Sequence, residues 1–146
     1  MNGKMKIWIL IFLALLTAFD TFTTFVGTLT ILDNNIGSTN IMVLLEKSQT
    51  YAILISSIFA FGIGSMLLAT VSIFEYSKYN NDVFSKLLPL IWFVFFFYDV
   101  FTSWKGNLNL MYGNSMALTS EQVAILAPVT IFVSISAIII SYSLKE

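Results

Sequence analysis

Two short stretches carry the residue types from which proton or ion chemistry is built. One is Asp20-Thr21-Phe22-Thr23-Thr24-Phe25-Val26-Gly27, the other Asp99-Val100-Phe101-Thr102-Ser103-Trp104-Lys105-Gly106. Both read Asp-x-Phe-Thr-(Thr/Ser)-aromatic-x-Gly, and every matched pair is 79 residues apart. An aromatic residue precedes each acid (Phe19, Tyr98), and Leu29 and Leu108 continue the match. On a helix, residues three and four apart share a face. Around Asp20 that face carries Thr17, Thr21, Thr24, Gly27 and Thr28; around Asp99 it carries Thr102, Ser103, Gly106 and Asn109. A carboxylate flanked by hydroxyls is an oxygen-rich set suited to a proton or a monovalent cation. The candidate ligands are Asp20, Asp99, Thr24, Thr102 and Ser103.

The acids stand out because of what surrounds them. "IFLALL" precedes Asp20 and "LIWFVFFF" precedes Asp99, both nearly pure hydrocarbon. An ionised side chain at the centre of a bilayer costs about 2.5–3.5 kcal/mol on insertion scales. Protonation, a bound cation or a paired lysine each lowers that cost. Lys105 is the nearest base, but six residues after Asp99 it points elsewhere on the helix, and it is expected to snorkel to the interface beside Trp104. A structural reading competes with ion binding: Asp and Thr side chains hydrogen-bond across membrane helices and hold bundles together, at about 0.6 kcal/mol for an average contact.

The elements that must position these groups follow from the apolar runs. The chain is 58% hydrophobic and 10% charged, against about 45–50% and about 25% for a soluble domain. Four runs reach the roughly 20 residues that cross a bilayer: residues 7–29, 51–74, 87–108 and 123–144. They are too continuous for the alternating polarity of a membrane β-barrel, so they are expected to be helices. The first is expected to be an uncleaved span, because no small-residue cleavage pattern closes it. The fold expected is a four-helix transmembrane bundle, one domain over residues 1–146, built from two tandem helical hairpins. Each hairpin carries its Asp on its first helix. With two spans per unit both copies enter from the same side, as parallel repeats.

Lysine placement gives the orientation. Lys4, Lys6, Lys78, Lys86 and Lys145 fall on one side, Lys47 and Lys105 on the other, which puts both termini in the cytoplasm. On this reading the hydroxyl stripes lead from the external side toward the two acids and stop above an apolar plug. Pro89 and Pro128 are expected near helix starts, where a missing N–H is tolerated. The second span has Ala52, Ser56, Ala60 and Gly64 at intervals of four. The fourth has Ala127, Thr130, Ser134, Ala137 and Ser141 at threes and fours. Small residues at this spacing let helices approach closely in lipid. "IMVLLEK" at 41–47 reads as an external interfacial turn or as the start of the second span.

Other chemistry is excluded by what is missing. With no His and no Cys there is no disulfide, thiol redox centre, His/Cys metal site or His base. All seven basic residues are Lys, and the net charge of −1 gives no basis for nucleic-acid binding. No nucleophile–base pair or phosphate loop is present, so an enzyme is not expected, nor a cofactor or metal. The expectation is an integral protein of the cytoplasmic or another energised membrane. Its partners would be lipid and a proton or monovalent cation, in a homo-oligomer or as a subunit of a membrane complex. The first functional expectation is a proton- or ion-conducting or ion-coupled protein; the alternative is a non-enzymatic accessory or scaffold subunit.

Overall fold

The computed structural model describes residues 3–33, 38–113 and 118–145, and all regular structure among them is helical. The elements are α1 (Gly3–Leu32), α2 (Ile41–Lys47), α3 (Thr50–Leu68), α4 (Thr70–Tyr79), α5 (Val83–Tyr112), α6 (Ser120–Ser134) and α7 (Ser136–Ser143). Four stretches are long and apolar enough to cross a membrane: Lys6–Leu32, Thr50–Leu68, Val83–Tyr112 and Ser120–Ser143. They form a bundle in which α1 packs most extensively on α5, then on α3 and α7.

Local chemistry sets the ends. Asp82 caps α5 by accepting the Ser85 N–H at 2.8 Å. Gly113 closes that helix in the left-handed region at φ 65°, its N–H on the Asn109 carbonyl at 2.9 Å. Only glycine adopts that backbone without steric cost. Thr119 and Gln122 form a reciprocal capping box at the start of α6. Because Asp82 starts α5 four residues before the apolar run does, Pro89 lies inside the helix. Pro128 likewise lies within α6. The expectation of prolines at helix starts is corrected on both counts: capping residues, not hydropathy, determine where these helices begin. Residues 41–47 form a separate short helix, capped by Asn40 on the Met42 N–H at 3.0 Å.

Two spans expected to be uniform helices are interrupted. The second turns at Ala69, whereas the fourth is disturbed only locally at Ile135, whose backbone stays helical and whose bonds to Ile131 and from Ile139 carry the helix through. At the first break the Val71 N–H bonds to the Ser141 hydroxyl at 3.0 Å instead of a carbonyl of its own helix. The Thr70 hydroxyl folds back on the Leu67 carbonyl and accepts the Trp92 indole N–H at 3.0 Å. Backbone groups freed in an apolar environment need such substitutes.

The distribution of side chains is inverted relative to a water-soluble bundle. Eighteen polar or charged residues are buried among those described, against sixteen hydrophobic ones. Large apolar residues such as Trp8, Leu15, Ile58, Phe61 and Phe97 lie on the outside. Such a surface is stable in hydrocarbon and not in water. Along the bundle axis an apolar layer of Val26, Leu29, Leu44 and Ala52 lies at the α2 end. A second, of Ile63, Leu67, Ile73, Trp92 and Ala137, lies toward the end where α1 begins and α7 finishes. The polar residues of α1 and α5 fall between them.

Candidate functional site

The site forms where α1 crosses α5. Two glycines make that crossing close. A Cβ built on Gly27 would lie 1.8 Å from the Thr102 carbonyl oxygen, and one on Gly106 would lie 1.9 Å from the Thr23 carbonyl oxygen. The helices therefore touch backbone to backbone. The contact is reciprocal, since Gly27 and Gly106 are 79 residues apart, as are Thr23 and Thr102.

The same exchange governs the acids. Thr24 donates its hydroxyl hydrogen to Asp99 Oδ1 at 2.7 Å. Its counterpart Ser103 donates to Asp20 Oδ1 at 2.8 Å. Each helix thus supplies the donor for the other helix's carboxylate. The two hydroxyl oxygens lie 3.0 Å apart. Four oxygens therefore run in sequence: Asp20 Oδ1, Ser103 Oγ, Thr24 Oγ1, Asp99 Oδ1. Ser134, from the end of α6, adds a donor to Asp20 Oδ1 at 3.3 Å. Thr23 lies 3.1 Å from Ser103 Oγ.

Both acids are enclosed, with Asp20 2% and Asp99 1% exposed. No basic side chain balances them: among the described residues the one ion pair joins Lys145 to Glu75. Nor does a third acid join them, as no group of three metal-ligating side chains occurs among those residues. Asp99 Oδ2 is buried without a hydrogen-bond partner, and so is Ser56 Oγ.

The structure brings together four of the five candidate ligands. Thr102 stands apart, because its hydroxyl bonds back to the carbonyls of Tyr98 at 2.8 Å and Asp99 at 3.1 Å. Threonine in a helix does this readily, its hydroxyl reaching the carbonyls three and four residues back. The expected polar approach from outside takes a different form. The hydroxyl stripes of α1 and α5 face each other, and beyond them lie the crossing glycines, the Val26–Leu29–Leu44–Ala52 layer and Asn109. Asn109 donates to Thr30 at 2.9 Å and accepts the Ser38 N–H at 2.9 Å, tying α1, α5 and the segment before α2 together.

Among the small residues, Ala52, Ser56 and Ala60 of α3 are buried, as are Thr130, Ser134, Ala137 and Ser141 of the fourth span. Gly64 meets the Thr21 hydroxyl, which would lie 3.1 Å from an added Cβ. Ala127 is half-buried, and its neighbour Leu126 fills the interior instead. Ser134 belongs to the site as well as to the packing surface. Helical spacing shows that it faces inward but not that Asp20 lies opposite. The Thr17–Ser136 contact at 3.0 Å was equally invisible, since its partners are 119 residues apart.

No family model, curated protein or solved structure matches this chain. The functional reading therefore rests on the site itself.

Proposed function

We propose that the protein is a proton-coupled or proton-conducting membrane protein whose site is the Asp20–Asp99 pair, bridged by Ser103 and Thr24. The observation that carries this reading is the unbroken chain of four oxygens with separations of 2.8, 3.0 and 2.7 Å. A hydroxyl has one hydrogen to donate. With both acids ionised, Ser103 gives its hydrogen to Asp20 and Thr24 gives its hydrogen to Asp99, so nothing lies between the two hydroxyls. One added proton completes the chain. Placed on Asp20, it donates to Ser103, Ser103 to Thr24, and Thr24 to Asp99. If each hydrogen shifts one step, the proton is on Asp99 and every bond points the other way. No atom is gained or lost; the two ends differ in that Asp20 also accepts from Ser134 whereas Asp99 Oδ2 has no partner.

A proton suits the site better than a hydrated cation. The backbones touch at the crossing and both acids are all but fully enclosed, which favours a bare proton over an ion that keeps its water shell. One proton halves the charge buried without a basic partner, which matters because an isolated buried carboxylate is costly. The matching contacts of residues 79 apart support descent from a duplicated hairpin, with the termini in the cytoplasm by the lysine count. A bundle this small suits a homo-oligomer or a place in a larger complex.

The test is proton flux in liposomes containing a pH-sensitive dye, with an imposed membrane potential. Wild type should acidify the lumen faster than protein-free vesicles. Asp20→Asn and Asp99→Asn should abolish the difference. Thr24→Val and Ser103→Ala should slow it while leaving both acids in place.

A second reading, the accessory subunit, is favoured by one observation: the glycine crossing and the exchanged hydroxyl bonds also make a helix lock. On that reading wild type moves no protons, and the Asn variants lose a co-purifying partner instead.

A further inference from the structure

A second site lies at the opposite end of α4 and α7 from the apolar layer that α2 covers. There α4, the end of α7 and the chain past it line an open recess of about 260 Å³. Its walls are graded. Val71 is buried and Phe74 half-buried, and they make the part nearest the bundle core apolar. Toward the aqueous end the lining turns to Lys78, Lys145, Tyr79 and Tyr142. Glu75 completes it and holds the Lys145 ammonium in an ion pair.

We propose that this recess binds the phosphate of an anionic membrane lipid. Lys78 makes no ion pair among the described residues, and its ammonium lies 5.6 Å from the Tyr79 ring centroid, within cation–π range. The Lys145 ammonium has three hydrogens to donate. Glu75 uses one and fixes the group in place, so two remain for phosphate oxygens. Two lysines against one glutamate leave the recess with a net charge of +1. A compact ammonium binds phosphate as a point charge without the planar fork that arginine would bring. The apolar side identifies the source of the phosphate. Phe74 and Val71 suit the glycerol and first acyl carbons of a lipid, and an ion free in water gains nothing from them. Tyrosine is enriched at headgroup level for the same amphipathic reason. Basic recesses between spans at a membrane surface hold anionic headgroups in this way.

The test uses the full-length protein in mixed phosphatidylglycerol and phosphatidylcholine nanodiscs. Retained lipid is counted by native mass spectrometry after mild delipidation. Wild type should retain phosphatidylglycerol in preference to phosphatidylcholine. Lys78→Gln should lower that preference about fivefold, the worth of one lysine near a membrane surface. Lys86→Gln, which alters a lysine outside the recess, should leave it unchanged. Lys145→Gln combined with Glu75→Gln removes both charges of the ion pair without leaving a lone carboxylate, and should also reduce the preference. Equal retention of the two lipids by wild type would overturn the proposal. So would equal effects of Lys78→Gln and Lys86→Gln. Displacement of phosphatidylglycerol by millimolar inorganic phosphate would make this a free-anion site and refute the lipid assignment.

Discussion

Replacing Gly27 by alanine tests the crossing on which the candidate site depends. The added Cβ would lie 1.8 Å from the Thr102 carbonyl oxygen and 2.6 Å from its carbon. Both atoms are backbone, so no side-chain rotation relieves the overlap. The helices must part by about 1.2 Å to reach even a 3.0 Å contact. Parting lengthens the Thr24–Asp99 and Ser103–Asp20 bonds, now 2.7 and 2.8 Å, toward or beyond the limit of a hydrogen bond. Overpacking of this kind costs about 1–3 kcal/mol. A bond to a charged group is worth about 1.5–3 kcal/mol in water-soluble proteins, with about 0.6 typical between membrane helices. Combining the overpacking cost with two bonds at the membrane value gives a destabilisation of about 2–4 kcal/mol. Gly62 supplies the control, since a Cβ there meets nothing within 4 Å. Gly62→Ala should be neutral or stabilising by up to about 1 kcal/mol through helix propensity. Unfolding in mixed micelles, followed by tryptophan fluorescence and circular dichroism, measures both. Gly106→Ala should resemble Gly27→Ala. The double variant should cost less than the two single costs added together, because the first alanine has already parted the helices. If Gly27→Ala unfolds at the same denaturant as Gly62→Ala, the helices do not touch at this point and the crossing is wrong.

Thr24→Val removes the donor to Asp99 Oδ1 at nearly constant volume and should destabilise by about 0.6–3 kcal/mol, from the usual membrane value to that of a buried acceptor left without a donor. Asp99→Asn in the same background should recover part of that loss, and a double-mutant cycle on unfolding free energies would measure the coupling. Ser141→Ala removes the acceptor of the Val71 N–H where the second span breaks. It should cost a similar amount and speed amide exchange at Val71, detected by hydrogen–deuterium exchange. Asp82 supplies a pH dependence at the aqueous end of α5. Its bonds from Ser85 hold its carboxyl below the usual carboxylate range. A group whose folded value is lowered stabilises the fold above its unfolded value, and that contribution is lost as pH falls through the folded value. Acidification below about pH 4 should therefore weaken the start of α5. Asp82→Asn keeps a good cap but does not titrate, so its stability should change less with pH over the same interval; equal pH profiles would refute the assignment.

The four spans were legible because each is an apolar run long enough to cross a bilayer, a property of one segment at a time. The interruptions at Ala69 and Ile135 were not. At the first, the acceptor for the freed Val71 N–H is Ser141, 70 residues away, and no local pattern near Ala69 reveals it. The candidate site was legible in the same partial way. Spacing placed Asp20 with Thr24 and Asp99 with Ser103, each on one helix face. It did not show that each hydroxyl serves the other helix's acid, because that depends on how α1 and α5 cross. It also grouped Thr102 with Ser103, where the threonine hydroxyl satisfies its own helix carbonyls instead.

The matched stretches did contain the residue that decides the crossing. Each begins with an acid and ends with a glycine, and the structure gives those two ends a common purpose. The glycines let the backbones touch. Close approach leaves little room for water beside the carboxylates, so side chains must supply their hydrogen-bond donors. Over so short a distance a hydroxyl on one helix reaches the carboxylate on the other. Any larger residue at Gly27 or Gly106 would part the helices and expose the acids to exchange with their surroundings. A carboxyl pair that holds a proton away from bulk water therefore needs both ends of the stretch, the acid to carry the charge and the glycine to keep it enclosed.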